Sequence, residues 1–223
     1  MPNIAENITL LKTQIPPSVK LVAVSKTRSA EEIMEAYSAG HKIFGENRVQ
    51  ELISKKTQLP GDIEWHLIGH LQTNKVKYIV PFVQMIQSVD SFRLLNVINS
   101  EASKINRIVN CLLQIHIAAE ETKFGFSWQE LDEMFNNEKI TDLKYINICG
   151  VMGMATFTDD TDRIRREFRY LADCFRELRE TRFRNISHFR EISMGMSGDY
   201  KIAVEEGSTI IRIGTIIFGE RNQ

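Results

Sequence analysis

The chain has 223 residues, of which 43% are hydrophobic and 26% are charged, and its formal net charge is −1. These values are typical of a globular protein and predict no general attraction to nucleic acid or to an anionic membrane. The three cysteines are widely spaced and form no C-x-x-C pair, which favours a reduced, cytoplasmic protein over a disulfide scaffold. The amino terminus lacks the features of a signal peptide, and no apolar run approaches the ~20 residues that span a bilayer.

Short apolar runs alternate with amphipathic stretches along the whole chain. Apolar residues at helical spacing predict a first helix over residues 4–15, which Pro16 and Pro17 end. The pattern then predicts, in chain order, strand 21–26, helix 30–37, strand 42–46, helix 49–56, strand 64–69, helix 75–79, strand 85–88 and helix 94–103. The second half repeats it with strand 108–117, helix 128–135, strand 145–152, helix 163–181, strand 189–194, helix 200–206 and strand 209–214.

Eight strand–helix units in a chain of this length predict an α/β fold, a closed (β/α)8 barrel of the TIM type. An open, doubly wound sheet is the alternative, because it has the same alternation of strands and helices. No segment rich in proline, glycine or serine separates two parts of the chain. We therefore expect residues 1–223 to form a single domain.

Lys26 ends the first apolar run, which has the sequence LVAVSK. A run of this kind is typical of a buried parallel strand, so Lys26 is expected at the strand's carboxyl end, where α/β folds place their chemistry. A partly buried lysine amine has a lowered pKa and attacks carbonyl groups to form a Schiff base. The alternative is a lysine that leaves the strand for solvent.

Two turns near the carboxyl terminus have the composition of a phosphate site. Arg212 and Gly214 share one face of the last strand, and the missing side chain of Gly214 lets a ligand approach the backbone. The amides of Gly214 and Thr215 and the Thr215 hydroxyl are then available to a phosphate, unless Arg212 makes an ordinary ion pair and Gly214 simply ends the strand. The serine- and glycine-rich turn 193–199 offers similar contacts, although Ser197 equally suits a helix N-cap.

Three further patterns bear on function. Polar residues follow two other strands, in 45–47 and 69–75, as a site at a barrel mouth requires. His66 and His70 lie on a strand and its loop rather than on one helix face, which argues against a zinc site. The arginine-rich segment 163–184 has the acid–arginine spacings of a solvated helix face, with nucleic-acid binding as the less favoured alternative.

Seven segments, spread in order over nearly the whole chain, carry a family resemblance. They are 21–27 (LVAVSKT), 44–47 (FGEN), 65–75 (WHLIGHLQTNK), 88–91 (SVDS), 120–126 (EETKFGF), 193–197 (SMGMS) and 205–214 (EEGSTIIRIG). Together they resemble the pyridoxal phosphate homeostasis protein family, which is related to alanine racemase. The resemblance implies the alanine racemase N-terminal barrel (fold type III) without the second β domain, and pyridoxal 5′-phosphate (PLP) as the cofactor.

The resemblance also implies roles for individual residues. Lys26 is similar to the lysine that forms a Schiff base with PLP, and Asn47 is similar to a residue beside the cofactor. Arg212 matches an arginine that faces the pyridine nitrogen. The phosphate-binding residues implied in the same way are Gly214 and Thr215, helped by Ser193 or Ser197.

An arginine against the pyridine nitrogen disfavours its protonation, which makes the ring a weaker electron sink than a carboxylate partner does. Racemisation tolerates the weaker sink but needs a second acid/base on the opposite face of the substrate, which racemases obtain with their second domain and a partner subunit. Because only nine residues follow Gly214, we expect no such domain here. The resemblance thus implies a non-catalytic, cytoplasmic and monomeric PLP homeostasis protein that holds PLP on Lys26 and delivers it to PLP-dependent apo-enzymes.

Two alternatives stay open at this point. A weak PLP-dependent amino-acid racemase needs an improvised second base, for which Tyr37, Tyr78, Tyr200 and His70 are the candidates. A binding module for protein or RNA would instead use the arginine-rich segment 163–184.

Overall fold

A computed structural model of the protein describes residues 3–119, 124–138 and 140–220, so residues 120–123 of the family-like segment 120–126 lie outside the described residues. The strands are β1 Lys20–Val24, β2 Ile43–Glu46, β3 Glu64–Leu67, β4 Met85–Val89, β5 Val109–Gln114, β6 Ile146–Met152, β7 Glu191–Ser193 and β8 Ile210–Ile213. The α-helices are α1 Ile4–Gln14, α2 Ala30–Ser38, α3 Val49–Gln58, α4 Val76–Ile79, α5 Phe92–Ser103, α6 Trp128–Asn137, α7 Thr161–Thr181, α8 Tyr200–Glu205 and α9 Thr215–Phe218.

Over this described part of the chain, eight parallel strands pair in sequence order and close into a barrel. Strands β8 and β1 make the closure, and they pair from Lys20 with Ile210 to Ala23 with Ile213. The predicted (β/α)8 barrel is therefore confirmed, and the open doubly wound sheet is wrong. Because the strands are parallel, their carboxyl ends all face one mouth of the barrel.

The first strand is shorter than its sequence pattern predicts. The prediction extends it to Lys26, but β1 ends at Val24 and Lys26 lies in the turn that follows. In that turn the amide of Arg28 donates to the carbonyl oxygen of Ser25. Thr27 has a φ of +64°, a left-handed conformation that strands exclude. Lys26 is thus held by a tight turn at the barrel mouth rather than by the barrel wall.

A short helix follows β8, where the sequence pattern predicts none. Helix α9 consists of Thr215–Phe218, and all four residues are β-branched or aromatic, which are poor helix formers. The amides of Ile217 and Phe218 both donate to the carbonyl oxygen of Gly214. The turn predicted to bind phosphate is therefore the beginning of a helix.

Two apolar clusters lie on the two sides of the barrel wall. The larger cluster packs the helices against the outside of the strands, and the smaller one occupies the barrel interior around Val22 and Met152. The three cysteines are buried and unbridged. Burial raises the pKa of Cys149 and of Cys174 to about 11, and it also raises the pKa of Cys111. The thiols therefore stay protonated at neutral pH.

The arginines of α7 make ion pairs on the protein surface. Arg163 contacts Glu167 one turn later, as the spacing predicts, and Arg165 and Arg169 both contact Glu206. These pairs confirm the solvated helix face that the sequence predicts. Within the described residues, no helix is both long and apolar enough to cross a membrane. The same residues contain no cluster of histidine, cysteine and carboxylate side chains arranged to hold a metal ion.

Candidate functional site

A cavity of about 850 Å³ opens at the mouth formed by the carboxyl ends of the strands. Its wall comes from the segments that follow β1, β2, β3, β6, β7 and β8. Six of the seven site residues predicted from the sequence line it, namely Lys26, Asn47, Ser197, Arg212, Gly214 and Thr215. A smaller cavity of about 270 Å³ lies near the amino end of β7, at the opposite end of the barrel, and contains none of the seven.

Lys26 reaches the cavity from the turn after β1, and its side chain is half-buried. Ser25 before it is fully buried, and its hydroxyl donates to Glu46 Oε1 over 2.6 Å. The carbonyl oxygen of Ser25 accepts a hydrogen bond of 2.8 Å from Lys55 Nζ. Thr27 after it donates its amide, also over 2.8 Å, to a carboxylate on α3. The Lys26 turn is thus tied on both sides to β2 and α3.

Glu46, Glu51 and Lys55, which we name the charged cluster, lie behind this turn. Lys55 Nζ lies 2.7 Å from Glu46 Oε1 and 3.3 Å from Glu51 Oε2, the oxygen that accepts the Thr27 amide. Burial raises the pKa of Glu46, although hydrogen bonds from Lys55 and Ser25 oppose the shift. For Glu51, burial also acts upward on the pKa, but the Thr27 amide and the charge of Lys55 outweigh it and lower the pKa. Sequence reasoning missed the cluster, for which the motif FGEN was the only signal.

Arg212 lies deep in the cavity wall and is almost fully buried. Its Nη1 donates to Ser193 Oγ over 2.7 Å, and its Nη2 donates to the carbonyl oxygen of Gly153 over 2.9 Å. Burial lowers the pKa of Arg212 to about 10, while the charge of Asp199 acts in the opposite direction. Arg212 therefore remains a cation at neutral pH and brings a buried positive charge to the cavity.

A chain of buried hydrogen bonds runs from Arg212 across the barrel interior. The Ser193 hydroxyl donates to Gln87 Oε1 over 2.6 Å, and Gln87 Nε2 donates to His66 Nδ1 over 2.8 Å. Burial lowers the pKa of His66 to about 3, so the ring is neutral and its Nδ1 accepts. Each donor points from Arg212 towards His66. Because the Ser193 hydroxyl donates its hydrogen to Gln87, its oxygen is left to accept from Arg212, and this bond holds the guanidinium in one orientation.

Ser193 occupies a different place from the phosphate contact that the resemblance implies. Its side chain is fully buried between Arg212 and Gln87 and is not part of the cavity wall. It supports Arg212 instead, because β7 directs the hydroxyl into the barrel interior below the mouth. Gln87 and His66 are partners that sequence reasoning missed. A glutamine inside the apolar strand 85–88 was the available signal, since buried polar groups require hydrogen-bond partners.

Two turns form the outer end of the cavity, where Ser197 follows β7 and Gly214 and Thr215 connect β8 to α9. A Cβ added at Gly214 would lie 3.3 Å from the carbonyl oxygen of Val24, a contact tighter than most Cβ atoms make, which favours glycine there. The hydrogen bonds of α9 begin with the amide of residue 217. The amides of residues 215 and 216 precede that first bond and have no carbonyl partner within the helix. Backbone donors and hydroxyl groups thus meet at this end.

The four side chains considered as a second base contact other parts of the protein. Their partners are Asp62 for Tyr37, Gln14 for Tyr200, Asp90 and Phe124 for His70, and Lys75 and Lys77 for Tyr78. None of the four belongs to the cavity wall as far as the chain is described. The described wall therefore offers a substrate no acid/base from this set.

The buried His66 predicts that the fold is sensitive to acid. Its pKa is about 3 in the folded protein, against a usual value of 6.5. Between these values the unfolded chain binds one proton more than the folded one. His66 therefore lowers the free energy of unfolding by about 1.4 kcal/mol per pH unit as the pH falls from about 6.5 towards 3. Denaturant unfolding at a series of pH values measures the slope.

The variant His66→Gln provides the comparison, because glutamine retains an acceptor for Gln87 but does not titrate. Its stability should depend less steeply on pH below about 6, by the equivalent of one proton. His41, whose pKa burial lowers to about 4, is present in both proteins and contributes equally. Identical slopes for the two proteins would contradict the prediction.

Comparison with known proteins identifies the family. The sequence matches the family model described as "Alanine racemase, N-terminal domain" over residues 1–222. It is 41% identical to the pyridoxal phosphate homeostasis protein of Aquifex aeolicus over 203 residues, which cover 91% of this chain and 87% of that protein. The structure of PipY from Synechococcus elongatus with PLP bound has a TM-score of 0.88 at 37% identity and covers 97% of this chain and 100% of its own.

The similarity to alanine racemase concerns the fold alone. The enzyme from Bartonella henselae, solved with covalently bound pyridoxal phosphate, has a TM-score of 0.71 at 14% identity. The alignment covers 99% of this chain but 61% of the racemase chain. The relatives named above, by contrast, match at much higher identity over almost their full length. The chain therefore belongs to the pyridoxal phosphate homeostasis protein family, which shares its barrel with the N-terminal domain of alanine racemase.

Proposed function

We propose that this protein binds PLP in the cavity at the barrel mouth, with Lys26 as the covalent attachment point, and that it serves PLP homeostasis in the cytoplasm. The observation that carries the proposal is the convergence of three features in the wall of one cavity: Lys26, the buried Arg212, and the Gly214–Thr215 turn. The names of the relatives and the PLP bound to PipY support it.

The cavity wall fits a polar aromatic phosphate. Asn47 Oδ1 is buried in the wall and has no hydrogen-bond partner among the described residues. Leaving such an oxygen unpaired costs about 1–3 kcal/mol, so a ligand that brings a donor to it is favoured. Arg212 offers its guanidinium to the pyridine nitrogen. Ser197, Thr215 and the first amides of α9 offer hydrogen bonds to the phosphate.

PLP, when bound, supplies a reactive aldehyde carbon. Lys26 would hold PLP as a Schiff base, in which its nitrogen replaces the aldehyde oxygen with release of water, and water would reverse the attachment. Arg212 would place its positive charge beside the ring nitrogen of the bound cofactor and thereby disfavour a proton on it. These residues favour holding the aldehyde over using the ring as an electron sink.

The role that we assign to the protein is that of a carrier or regulator of PLP without catalysis. The positions of the four candidate second bases outside the cavity wall support this role. We assign delivery to PLP-dependent apo-enzymes to the rim of the cavity, where Thr215 and Ile216 are exposed and Phe157 is 98% exposed. One barrel domain acting as a monomer suffices, because one chain provides all the proposed PLP contacts.

Reductive trapping tests the attachment point. Purified protein is mixed with PLP, reduced with borohydride and digested, and the modified peptide is located by mass spectrometry. We expect the pyridoxyl group on Lys26. Modification confined to other lysines, or none at all, would contradict the proposal.

Chiral analysis tests the absence of catalysis. The protein with PLP bound is incubated with several L-amino acids, and the enantiomers are separated. Unchanged enantiomer ratios are expected. Conversion at about 1 s⁻¹ or faster, an ordinary enzymatic rate, would assign the protein to the racemases instead.

A further inference from the structure

We infer that Glu51, acting with Glu46 and Lys55, is a positioning residue for Lys26: the charged cluster fixes the backbone of the Lys26 turn so that the amine is presented to the aldehyde of PLP. The inference rests on the proposed function, because it assigns a role to residues behind the proposed attachment point. None of the three belongs to the described cavity wall, so the cluster acts through the turn and not by contact with PLP.

The hydrogen bonds of the cluster bracket Lys26 in the sequence. Glu46 and Lys55 hold Ser25 by its hydroxyl and its carbonyl oxygen, over 2.6 and 2.8 Å. Glu51 holds Thr27 by its amide, over 2.8 Å. With the residues on both sides fixed, the direction in which the Lys26 side chain leaves the backbone is fixed as well.

The backbone conformation of Thr27 requires such support. Its φ of +64° lies in the left-handed region, which costs a β-branched residue about 1–3 kcal/mol. Strain of this kind persists only where surrounding contacts hold the chain in place. The bond from the Thr27 amide to Glu51 is such a contact, and it lies directly beside the proposed attachment point.

The burial of the cluster suggests that its role goes beyond stability. Glu46 is fully buried, and the side chain of Lys55 is 9% exposed. Burying charges costs several kcal/mol per ion, and apolar residues of similar volume often stabilise a protein as well or better. The charged side chains make directional hydrogen bonds to Ser25 and Thr27, which apolar side chains cannot make.

The substitution Glu51→Ala tests the inference, with Glu130→Ala as its matched control. Glu130 lies in the first turn of α6, and its carboxylate accepts the amide of Ser127 over 2.8 Å, the same type of hydrogen bond at the same distance as that of Glu51 with Thr27. The control thus removes a comparable hydrogen bond outside the cavity wall. Glu51→Gln retains an oxygen that accepts the Thr27 amide.

Two quantities are measured for each protein. The rate of attachment to Lys26 is followed by the visible absorbance after PLP is added. The affinity for pyridoxine 5′-phosphate, which carries an alcohol in place of the aldehyde, is measured by calorimetry and reports on the cavity without Lys26 chemistry. Unfolding midpoints record the loss of stability.

We expect Glu51→Ala to slow attachment about 10- to 100-fold, the usual effect of misplacing a reacting group by about 1 Å. Its affinity for pyridoxine 5′-phosphate stays unchanged, and Glu51→Gln recovers most of the rate. Glu130→Ala lowers the unfolding midpoint but leaves the rate as it was.

Equal attachment rates in Glu51→Ala and Glu130→Ala would overturn the inference. A parallel loss of affinity for pyridoxine 5′-phosphate in Glu51→Ala would also overturn it, because the cavity itself would then be damaged. Failure of the unsubstituted protein to attach PLP at Lys26 is a separate result, and it would refute the proposed function instead.

Discussion

Replacing Lys26 with alanine is expected to abolish the covalent attachment of PLP while leaving a weaker, non-covalent association. In the proposed site the Lys26 amine bonds to the aldehyde carbon, and the variant would keep Arg212 and the Gly214–Thr215 turn in the cavity wall for the ring and the phosphate. The variant should show no visible absorbance band of lysine-bound PLP. After borohydride reduction and denaturation, its mass should show no pyridoxyl group.

The control for this prediction is Lys104→Ala. Lys104 is an exposed lysine paired with Glu101 at the end of α5, and it lies outside the cavity wall. This variant should bind and retain PLP as the unsubstituted protein does. If Lys26→Ala still gains a stoichiometric pyridoxyl group, another lysine is the attachment point and the proposed site is wrong.

Replacing Arg212 with methionine is expected to weaken PLP binding about 10- to 100-fold, because a hydrogen bond to a charged group contributes about 1.5–3 kcal/mol. Methionine has a similar length but supplies neither the charge nor the donors. The carbonyl oxygen of Gly153 and the hydroxyl of Ser193 lose their donor as well. Equilibrium titration with PLP measures the affinity, and thermal unfolding shows whether the barrel remains folded.

The matched control is Arg182→Met. Arg182 bonds Asp132 and Asn136 on the surface after α7, remote from the barrel mouth. Its loss should leave the affinity for PLP unchanged. Retention of full affinity in Arg212→Met would show that the buried guanidinium has no part in binding.

The repeating elements of this fold could be predicted from the sequence because each has a local signature. Buried parallel strands appear as short apolar runs, and the helices between them appear as amphipathic stretches. The ends of the strands depend on contacts that a local pattern does not contain. The apolar run up to Lys26 passes through Ser25, which leaves β1 because Glu46 and Lys55 bind it from another strand and helix.

The residues that line the cavity were easier to predict from the sequence than the buried residues behind them, which support Arg212. Glycines, serines and the lysine at strand ends are marked by their position, since the carboxyl ends of barrel strands meet at one mouth. The hydrogen-bond chain runs from Arg212 through Ser193 and Gln87 to His66. Its bond between Ser193 and Gln87 joins residues that are 106 positions apart in the sequence. Such pairings depend on which side chains the barrel interior brings together, so no local pattern predicts the contacts of Ser193 with Arg212 and Gln87.

The burial of the cysteines has a chemical consequence for a protein that handles an aldehyde. Thiolates, and not thiols, attack carbonyl carbons and react first with peroxides. With their pKa values raised to about 11, Cys149 and Cys174 are almost entirely protonated, and Cys111 is protected in the same way. The fold thus keeps sulfur from competing with the amine for the aldehyde.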